Sequence, residues 1–246
     1  MDRIRSWFHH LQSREAYSAA YERYYRRVKC RPGLKYLERE FRILIGRKTR
    51  RMVERCARST EFKLLERETL RLPARRVLDA GCGEGRVALA LGAEHPDLSV
   101  EGIEVSATNV RIAQRLNRFS NVAFHHGSIE EADRLFRIES LDLVYSFGVL
   151  KHVWDVDEAV GAALKLLRPG GRYCAVVPMN EFRAKGPLPE FKPEDTACHV
   201  RVFSERFGHF PDFSLVMLPG EWRPGRYPEA IEPVEFGAFF VVFSKA

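Results

Sequence analysis

A short stretch in the first half of the chain combines a carboxylate with three alternating glycines, directly after the apolar pair Val77 and Leu78. Glycine lacks a Cβ, so its backbone can adopt positive φ and approach a bound molecule closely. A helical pattern starts near Glu84, and the first turn of a helix offers unpaired N–H groups and a positive dipole end. A strand, a glycine turn and a helix in this order are typical of a ligand site in an α/β protein. The candidate ligand-binding residues of this turn are Asp79, Gly81, Cys82, Gly83 and Gly85.

The spacing of the glycines distinguishes between two kinds of nucleotide ligand. A dinucleotide fingerprint has the form Gly-x-Gly-x-x-Gly, and its third glycine helps the helix and strand pack closely. Here that third position is Arg86, and the glycine comes one residue earlier, at Gly85. The stretch therefore does not fit a dinucleotide pyrophosphate. An ordinary tight turn between a strand and a helix, without a ligand, is the alternative at this point.

A second carboxylate follows at the distance typical of a nucleotide site. The run from Leu98 to Glu104 has the pattern of a second strand, and Glu104 ends it about 20 residues after the glycine turn. A carboxylate at this place can accept hydrogen bonds from the ribose hydroxyls. Further strand patterns alternate with helical ones up to Val177, which predicts a largely parallel sheet.

Together these segments resemble the class I S-adenosylmethionine (SAM)-dependent methyltransferases. The glycine turn matches the family's acid-x-Gly-x-Gly-x-Gly motif, and the chain departs from the family pattern at Ser128, where an aspartate is usual. The resemblance implies an α/β fold with a Rossmann-like sheet of about seven strands, mostly parallel, and SAM as the cofactor. Further matching segments follow in the family's order: Glu104-Val105-Ser106, Gly127-Ser128-Ile129, Leu141 to Val153, Leu166 to Arg172 and His199 to Ser204.

The same resemblance implies a role for each matching position. Glu104 and Val105 belong to the ribose side of the cofactor site. Ser128 would accept a hydrogen bond from the adenine amino group, and Ile129 would cover one face of the adenine. Beside the methionine half of the cofactor the family pattern places Ser146, Phe147 and Gly148.

Methyl transfer asks little chemistry of the protein. The sulfonium of SAM is already a strong electrophile, so the protein aligns the acceptor and excludes water. A general base helps only where the acceptor is a hydroxyl or an acidic carbon. His152 is the candidate catalytic base by its position, and packing beside the fourth strand is its alternative role. The candidate substrate-binding residues are Tyr17, Tyr21, His199 and Arg201.

Other kinds of site are disfavoured by the sequence. The five cysteines are scattered, without a Cys-x-x-Cys or Cys/His cluster, which favours free thiols in the cytoplasm. His125 and His126 are adjacent in a predicted strand and face opposite sides, so no metal is expected. No apolar run approaches the ~18 residues of a membrane span. No Asn/Asp-Pro-Pro-aromatic sequence follows the fourth strand, which disfavours the exocyclic amines of nucleic-acid bases as acceptors.

Residues 1–72 are predicted to form a helical N-terminal extension before a SAM-binding domain at 73–246. Residues 1–76 carry 22 lysines and arginines against 9 acidic residues, a surplus of +13, whereas the whole chain carries +7. The helices could pack on the sheet with their arginines in water, cover an acceptor pocket, or bind a nucleic acid or an anionic membrane surface. One apolar stripe in this region consists of Tyr17, Tyr21, Tyr24 and Val28.

The sequence therefore predicts an enzyme that transfers the methyl group of SAM to an O, N or C nucleophile of a small molecule. The basic extension favours an anionic or lipid-like acceptor, and the long loop at 179–198 is expected to flank the acceptor pocket with the N-terminal helices. An RNA methyltransferase that uses the basic N-terminal region is the alternative among enzymes. A non-catalytic, SAM-binding regulatory protein is the alternative from another class.

Overall fold

Seven strands form one sheet in the computed structural model, which describes residues 14–30, 43, 46–153, 155–178, 203–219 and 236–246. The strands are β1 (Arg76–Ala80), β2 (Ser99–Glu104), β3 (Val122–His126), β4 (Leu141–Phe147), β5 (Leu167–Pro178), β6 (Ser214–Pro219) and β7 (Phe236–Ser244). Their order across the sheet is β3-β2-β1-β4-β5-β7-β6. The first five strands are parallel, and β7 is antiparallel to both β5 and β6. The predicted mostly parallel α/β sheet of about seven strands is confirmed.

Helices cover both faces of this sheet. They are α1 (Arg14–Lys29), α2 (Arg47–Ala57), α3 (Thr60–Arg71), α4 (Arg86–Glu94), α5 (Ala107–Leu116) and α6 (Val156–Leu166), with short 3-10 turns at Ile129–Arg134 and Leu150–His152. Within the described ranges, none of these helices has the length and apolarity to cross a membrane.

The central strands are apolar on both sides because both sides are covered. Val77 and Leu143 pack into a core shared with α2, α3, α4 and α5. Their neighbours Leu78 and Val144 face the other way, into a core shared with α6. All four side chains are fully buried. This double burial fixes the register of the sheet and aligns the carboxyl ends of β1, β2, β3 and β4 along one edge.

Short polar residues fix where three of the helices begin. The side chain of Ser59 accepts a hydrogen bond from the backbone N–H of Phe62 at the start of α3. Asp155 accepts from the N–H of Glu158 at the start of α6, over 2.9 Å. Ser106 caps α5, as the sequence predicts, and so sets the helix that begins just after the cofactor-side strand β2.

The second and third helices are an integral layer over the sheet. Phe62 and Leu65 of α3 are almost completely buried in the same core as β1 and β4. Thr49 of α2 donates a hydrogen bond of 2.7 Å to the carbonyl oxygen of Leu116 at the end of α5. The amphipathic packing considered for the N-terminal region therefore holds for α2 and α3, whereas α1 lies at the carboxyl edge.

Candidate functional site

A cleft of about 200 Å³ opens where the carboxyl ends of the parallel strands meet. Its walls come from the glycine turn after β1, the end of β2, the segments that follow β3 and β4, and one face of α1. Of the acceptor-side candidates, Tyr21 and His152 line it. Of the residues expected to bind the cofactor, those in the lining are Gly81, Gly83, Glu104, Val105, Ser128, Ile129, Phe147 and Gly148.

Gly81 and Gly83, the two glycines of the turn that line the cleft, have different structural roles. Gly81 has φ +84°, and a Cβ there would lie 2.5 Å from Cγ2 of Val149, so a side chain would collide with the wall of the cleft. Gly83 has φ +55°, and a Cβ there would meet nothing within 4 Å. Because Gly83 lines the cleft, that open space is space in which a ligand can reach the backbone.

The carboxylate of Glu104 ties the glycine turn to the end of β2. Its Oε2 accepts a hydrogen bond of 3.1 Å from the N–H of Gly83, and its Oε1 accepts one of 2.9 Å from the N–H of Ser106. Glu104 is 6% exposed, and this burial raises its pKa above the ordinary value although the two N–H donors act against the shift. Each oxygen keeps further acceptor capacity toward the cleft.

Asp79 and Cys82 lie behind the turn and not in the lining of the cleft. Successive strand residues face opposite sides of a sheet, so Asp79 shares the side of Val77. Burial raises the pKa of the Asp79 carboxyl to about 7, and the nearby Tyr145 hydroxyl and the N–H of Ala88 offset part of the shift. Burial likewise raises the pKa of the Cys82 thiol, which makes it a poor nucleophile.

Gly85 and Ser146 also lie outside the lining. A Cβ at Gly85 would come within 2.5 Å of Cζ of Phe124, so glycine is needed there for α4 to pack against β3. Ser146 is fully buried, and its Oγ lies 2.6 Å from the phenol oxygen of Tyr173 in β5. The sequence motif marks these two positions, but in the structure they shape the walls of the site.

The segments after β3 and β4 close the two ends of the cleft. Ser128 lies at one end, where its hydroxyl is hydrogen-bonded to Glu130. At the other end Gly148 has φ +70°, and its N–H donates to the carbonyl of Val176 over 2.8 Å. His152 lies on the 3-10 turn that follows, and its ring lies 5.7 Å from that of Tyr21 between centroids. The candidate base therefore lines the cleft against a residue of α1.

One face of α1 covers the cleft. The lining residues Arg14, Ser18, Tyr21 and Tyr25 are spaced by four, three and four positions, which places them on the same side of a helix. The apolar stripe predicted from the sequence shares Tyr21 with this face, but its members Tyr17 and Tyr24 each precede a lining residue by one position. The sequence analysis therefore missed Arg14, Ser18 and Tyr25. Their helical spacing was a signal for them, because Tyr21 belongs to both possible stripes.

The two tyrosines of this face form a pair. The hydroxyl of Tyr21 donates to that of Tyr25 over 3.2 Å, and their ring centroids are 4.8 Å apart. Burial raises the pKa of Tyr25 above that of a free phenol, so its ring stays neutral at physiological pH. The cleft therefore has a neutral aromatic roof over a floor that carries the Glu104 carboxylate.

Several predicted residues cannot be placed at the cleft. His199, Arg201 and the loop at 179–198 lie outside the described residues, as does the side chain of Tyr17. The sequence analysis expected no metal at His125 and His126. In the structure, His125 lies 2.6 Å from a carboxylate oxygen of Glu101. Among the residues that the structure describes, no group of three or more metal-ligand side chains is found.

Comparison with known proteins identifies the family. A model of the methyltransferase domain matches residues 72–201, more than half of the chain. The chain belongs to the class I SAM-dependent methyltransferase family. The resemblance drawn from the glycine turn and the segments after it is therefore confirmed, and SAM is the cofactor of this family.

Individual relatives agree with the family at modest similarity. A probable SAM-dependent methyltransferase of Mycolicibacterium smegmatis is 32% identical over 108 residues, which cover 44% of this chain and 40% of that protein. Trans-aconitate 2-methyltransferase of Deinococcus radiodurans is 28% identical over 166 residues, 68% of this chain and 62% of the relative. The chain thus matches between 40% and 62% of the length of these relatives.

A solved structure shows the same fold. The YcgJ protein of Bacillus subtilis superposes with a TM-score of 0.53 at 18% identity, over 75% of this chain and 96% of that chain. At this identity the likeness concerns the sheet and its helices. It supports the fold described above.

The described residues of the cleft fit SAM. Gly83 leaves backbone exposed beside open space, and Glu104 presents a buried carboxylate at the end of β2, where a ribose is bound in such folds. A neutral aromatic pair faces the same space, and aromatic rings attract a cation such as a sulfonium. The backbone at Gly83, the Glu104 carboxylate and the tyrosine pair are therefore groups that could hold SAM.

Proposed function

We propose that this methyltransferase transfers the methyl group of SAM to an O, N or C nucleophile of a small-molecule acceptor. The observation that carries the proposal is the cleft itself. It brings the glycine turn, the Glu104 carboxylate and His152 together under the aromatic face of α1. A site with these parts can hold a nucleotide-bearing cofactor beside a proton acceptor, covered from water.

In this proposal the cofactor-binding residues divide into four groups, one for each of the three parts of the cofactor and one behind the cleft walls. Glu104 and Val105 hold the ribose, and Ser128 and Ile129 hold the adenine. The methionine half lies against Gly81, Gly83, Phe147 and Gly148, while Asp79, Cys82, Gly85 and Ser146 position these walls from behind. When bound, SAM supplies an activated methyl group, so the protein needs no covalent intermediate of its own.

The residues of the chain provide alignment, exclusion of water and a proton acceptor. Tyr21 and Tyr25 cover the cleft and limit access of water, which favours transfer to a positioned acceptor. His152 accepts a proton where the acceptor is a hydroxyl or an acidic carbon, and its ring is held against Tyr21. For an amine acceptor that is already neutral, His152 serves as a wall.

A small molecule is the favoured acceptor. The cleft is small and roofed, which suits a compact substrate better than a nucleic-acid strand. Relatives are named for trans-aconitate and for ubiquinone biosynthesis, which supports small-molecule acceptors across this group. Arg14 lines the cleft and gives an anionic acceptor a cationic partner, although it is also paired with Glu158. A cytoplasmic location is part of the same proposal.

The test uses the full chain with SAM and separate acceptor fractions. Purified protein is incubated with SAM and either a small-molecule extract or total RNA, and formation of S-adenosylhomocysteine (SAH) is followed. The proposal expects SAH with the small-molecule extract and none with RNA. SAH formed only with RNA, with salt-sensitive binding of the RNA, would establish the nucleic-acid alternative. SAM binding without SAH from any fraction would favour the non-catalytic regulatory alternative.

A further inference from the structure

The first helix contacts the candidate cofactor site at two places that lie on one side of the helix. Glu22 and Lys29 of α1 are seven residues apart, which is two helical turns or about 10.5 Å along the axis. Each side chain reaches a different element of the cofactor site. Neither Glu22 nor Lys29 is in the lining of the cleft. They lie beside the lining face, three and four positions from Tyr25.

Glu22 completes the N-terminus of α5 from outside that helix. Its carboxylate accepts hydrogen bonds from the hydroxyls of Ser106 and Thr108, over 2.7 and 2.6 Å. It also accepts from the backbone N–H of Thr108 over 3.2 Å. Partial burial acts to raise the pKa of Glu22, but the hydrogen bonds from Thr108 and Ser106 outweigh it and hold the pKa below its usual range. Glu22 is thus a carboxylate held at a helix N-terminus, a favourable place for negative charge.

Lys29 holds the glycine turn from the other side. Its Nζ lies 2.9 Å from Oε1 of Glu84, and Nζ of Lys48 in α2 lies 3.0 Å from Oε2 of the same carboxylate. Glu84 directly follows Gly83 in the turn. The two lysines bring α1 and α2 onto one carboxylate of the cofactor turn, and together they hold the pKa of Glu84 below its usual range although burial would raise it.

These contacts close a circuit through the candidate ribose ligand, which we call the anchoring circuit. From α1 it runs through Glu22 to Ser106, and from the N–H of Ser106 to Glu104. From Glu104 it runs to the N–H of Gly83, and through the next residue, Glu84, back to Lys29 of α1. Both N–H groups that hold Glu104 therefore belong to segments that α1 holds in place.

We propose that Glu22 and Lys29 are positioning residues that couple the docking of α1 to occupancy of the cofactor site. The inference rests on the proposed function, in which the cleft holds SAM. Undocking of α1 removes Glu22 from Ser106 and one of the two lysines from Glu84, and so loosens the two segments that orient Glu104. By linkage, a ligand bound at Glu104 and Gly83 raises the equilibrium constant for docking of α1 by a certain factor. Docking of α1 raises the affinity for that ligand by the same factor.

The test measures SAH affinity and the protection of α1 in the same proteins. Calorimetry gives the affinity for SAH, and hydrogen exchange reports the amides of 14–29 with and without SAH. Glu22→Gln and Lys29→Gln are each expected to lower the affinity for SAH about tenfold. Each is also expected to reduce the protection from hydrogen exchange that SAH gives to the amides of α1. Arg27→Gln removes a charge from an exposed position of the same helix and is expected to behave as the wild type.

A double-mutant cycle separates coupling from general damage. Lys29→Gln and Glu84→Gln remove the two ends of one contact, so their effects on SAH affinity are expected to be non-additive. Lys29 is partly exposed, so its variant keeps the test valid if Glu22→Gln does not fold. Wild-type binding of SAH with no change in exchange of α1, or normal affinity in Lys29→Gln, overturns the inference. Absence of SAH binding by the wild type overturns the proposed function instead.

Discussion

At the scale of single residues, the glycines of one motif separate into ligand-facing and packing positions. Gly81 and Gly85 are required by their neighbours Val149 and Phe124, whereas Gly83 faces open space in the cleft. Substitution at the first two therefore changes the fold locally. Substitution at Gly83 places atoms where the cofactor is expected, so it tests the cofactor site with the least disturbance of the walls.

We predict that Gly83→Val folds but no longer responds to SAH. A Cβ at this position meets no protein atom within 4 Å, and Gly83 lines the cleft, so the added side chain occupies space that the ligand needs. A ligand that binds the folded state at a hundred times its dissociation constant stabilises it by about 2.7 kcal/mol, so SAH should raise the melting temperature of the wild type but not of Gly83→Val.

Gly170→Val is the matched control for that experiment. Gly170 also has positive φ, +72°, with nothing within 4 Å of a Cβ, and it lies in the turn at the start of β5, outside the cleft lining. Both variants carry the same kind of backbone strain, and Gly170→Val should keep the SAH response. An equal response in both variants would remove Gly83 from the cofactor site.

We predict that Glu104→Ala lowers the affinity for SAH by an order of magnitude or more. Hydrogen bonds to a charged group contribute about 1.5–3 kcal/mol each, and the substitution also leaves the N–H groups of Gly83 and Ser106 without their acceptor. Glu104→Gln should lose less because one acceptor oxygen remains. Glu101→Gln, in the same strand but outside the cleft lining, should bind SAH normally in calorimetry. Equal affinity in all of these proteins contradicts the assignment.

The buried Asp79 carboxyl predicts a pH dependence of stability. Its pKa rises from 3.8 to about 7 on folding, so the folded state prefers the protonated form. Below about pH 4 the carboxyl is protonated in both states and burial costs little. As the pH rises toward 7, ionisation of the unfolded chain should lower the free energy of unfolding, by a total of about 4 kcal/mol.

Comparison with Asp79→Asn isolates this contribution. The amide does not ionise, so the free energy of unfolding of the wild type minus that of Asp79→Asn should fall steadily between pH 5 and pH 7 and level off above it. Urea unfolding at several pH values measures this difference. A difference that does not change with pH would mean that the Asp79 carboxyl stays ionised in the folded protein.

At the scale of elements, α1 differs from the helices that follow it. The helices α2 and α3 bury Val53, Phe62 and Leu65 in the core of the sheet. Among the α1 side chains that the structure describes, Tyr21 is buried, and Arg14, Ser18 and Tyr25 line the cleft. A helix with few core contacts can be removed, or can move, at smaller cost to the fold.

We predict that deletion of residues 1–30 leaves a folded protein with little methyl transfer. Turnover should fall at least a hundredfold because the aromatic roof that excludes water is lost, and SAH should still bind, more weakly. Circular dichroism, calorimetry and SAH formation measure the three properties. Deletion of residues 1–13, which keeps α1, separates the contribution of the helix from that of the segment before it. Unchanged turnover without α1 would defeat its role as a cover.

The secondary-structure elements that depend on a local sequence pattern could be predicted from the sequence. Buried strands such as β4 and the cap at Ser106 follow from apolar runs and from a short polar residue before a helix. The face of α1 did not follow, because Tyr21 belongs to two overlapping stripes and only contact with the cleft distinguishes them. The contact of Glu22 with Thr108 joins residues 86 positions apart, and no local pattern indicates it. The burial of Asp79 could be predicted, because side chains alternate along β1 and Asp79 faces the same side as Val77.

At the scale of the whole molecule, the surplus of positive charge is used in more than one way. Lys29 and Lys48 hold the acidic Glu84 at the cofactor turn. Arg172 forms a 2.7 Å ion pair with the buried Glu68, which ties α3 to the sheet. Part of the positive charge of the N-terminal region, which suggested an anionic partner, is therefore paired with a carboxylate of the chain itself, at Lys29 and Lys48. The fold could be predicted from the family motifs, but the acceptor could not, because it depends on contacts between distant segments.

The most direct test of the central claim is a calorimetric titration of the wild-type protein with SAH. The account predicts saturable binding at one site per chain, lost in Gly83→Val and kept in Gly170→Val. Absence of binding by a folded wild-type protein, or equal binding by all three proteins, would contradict the claim that this cleft is the site of SAM-dependent methyl transfer.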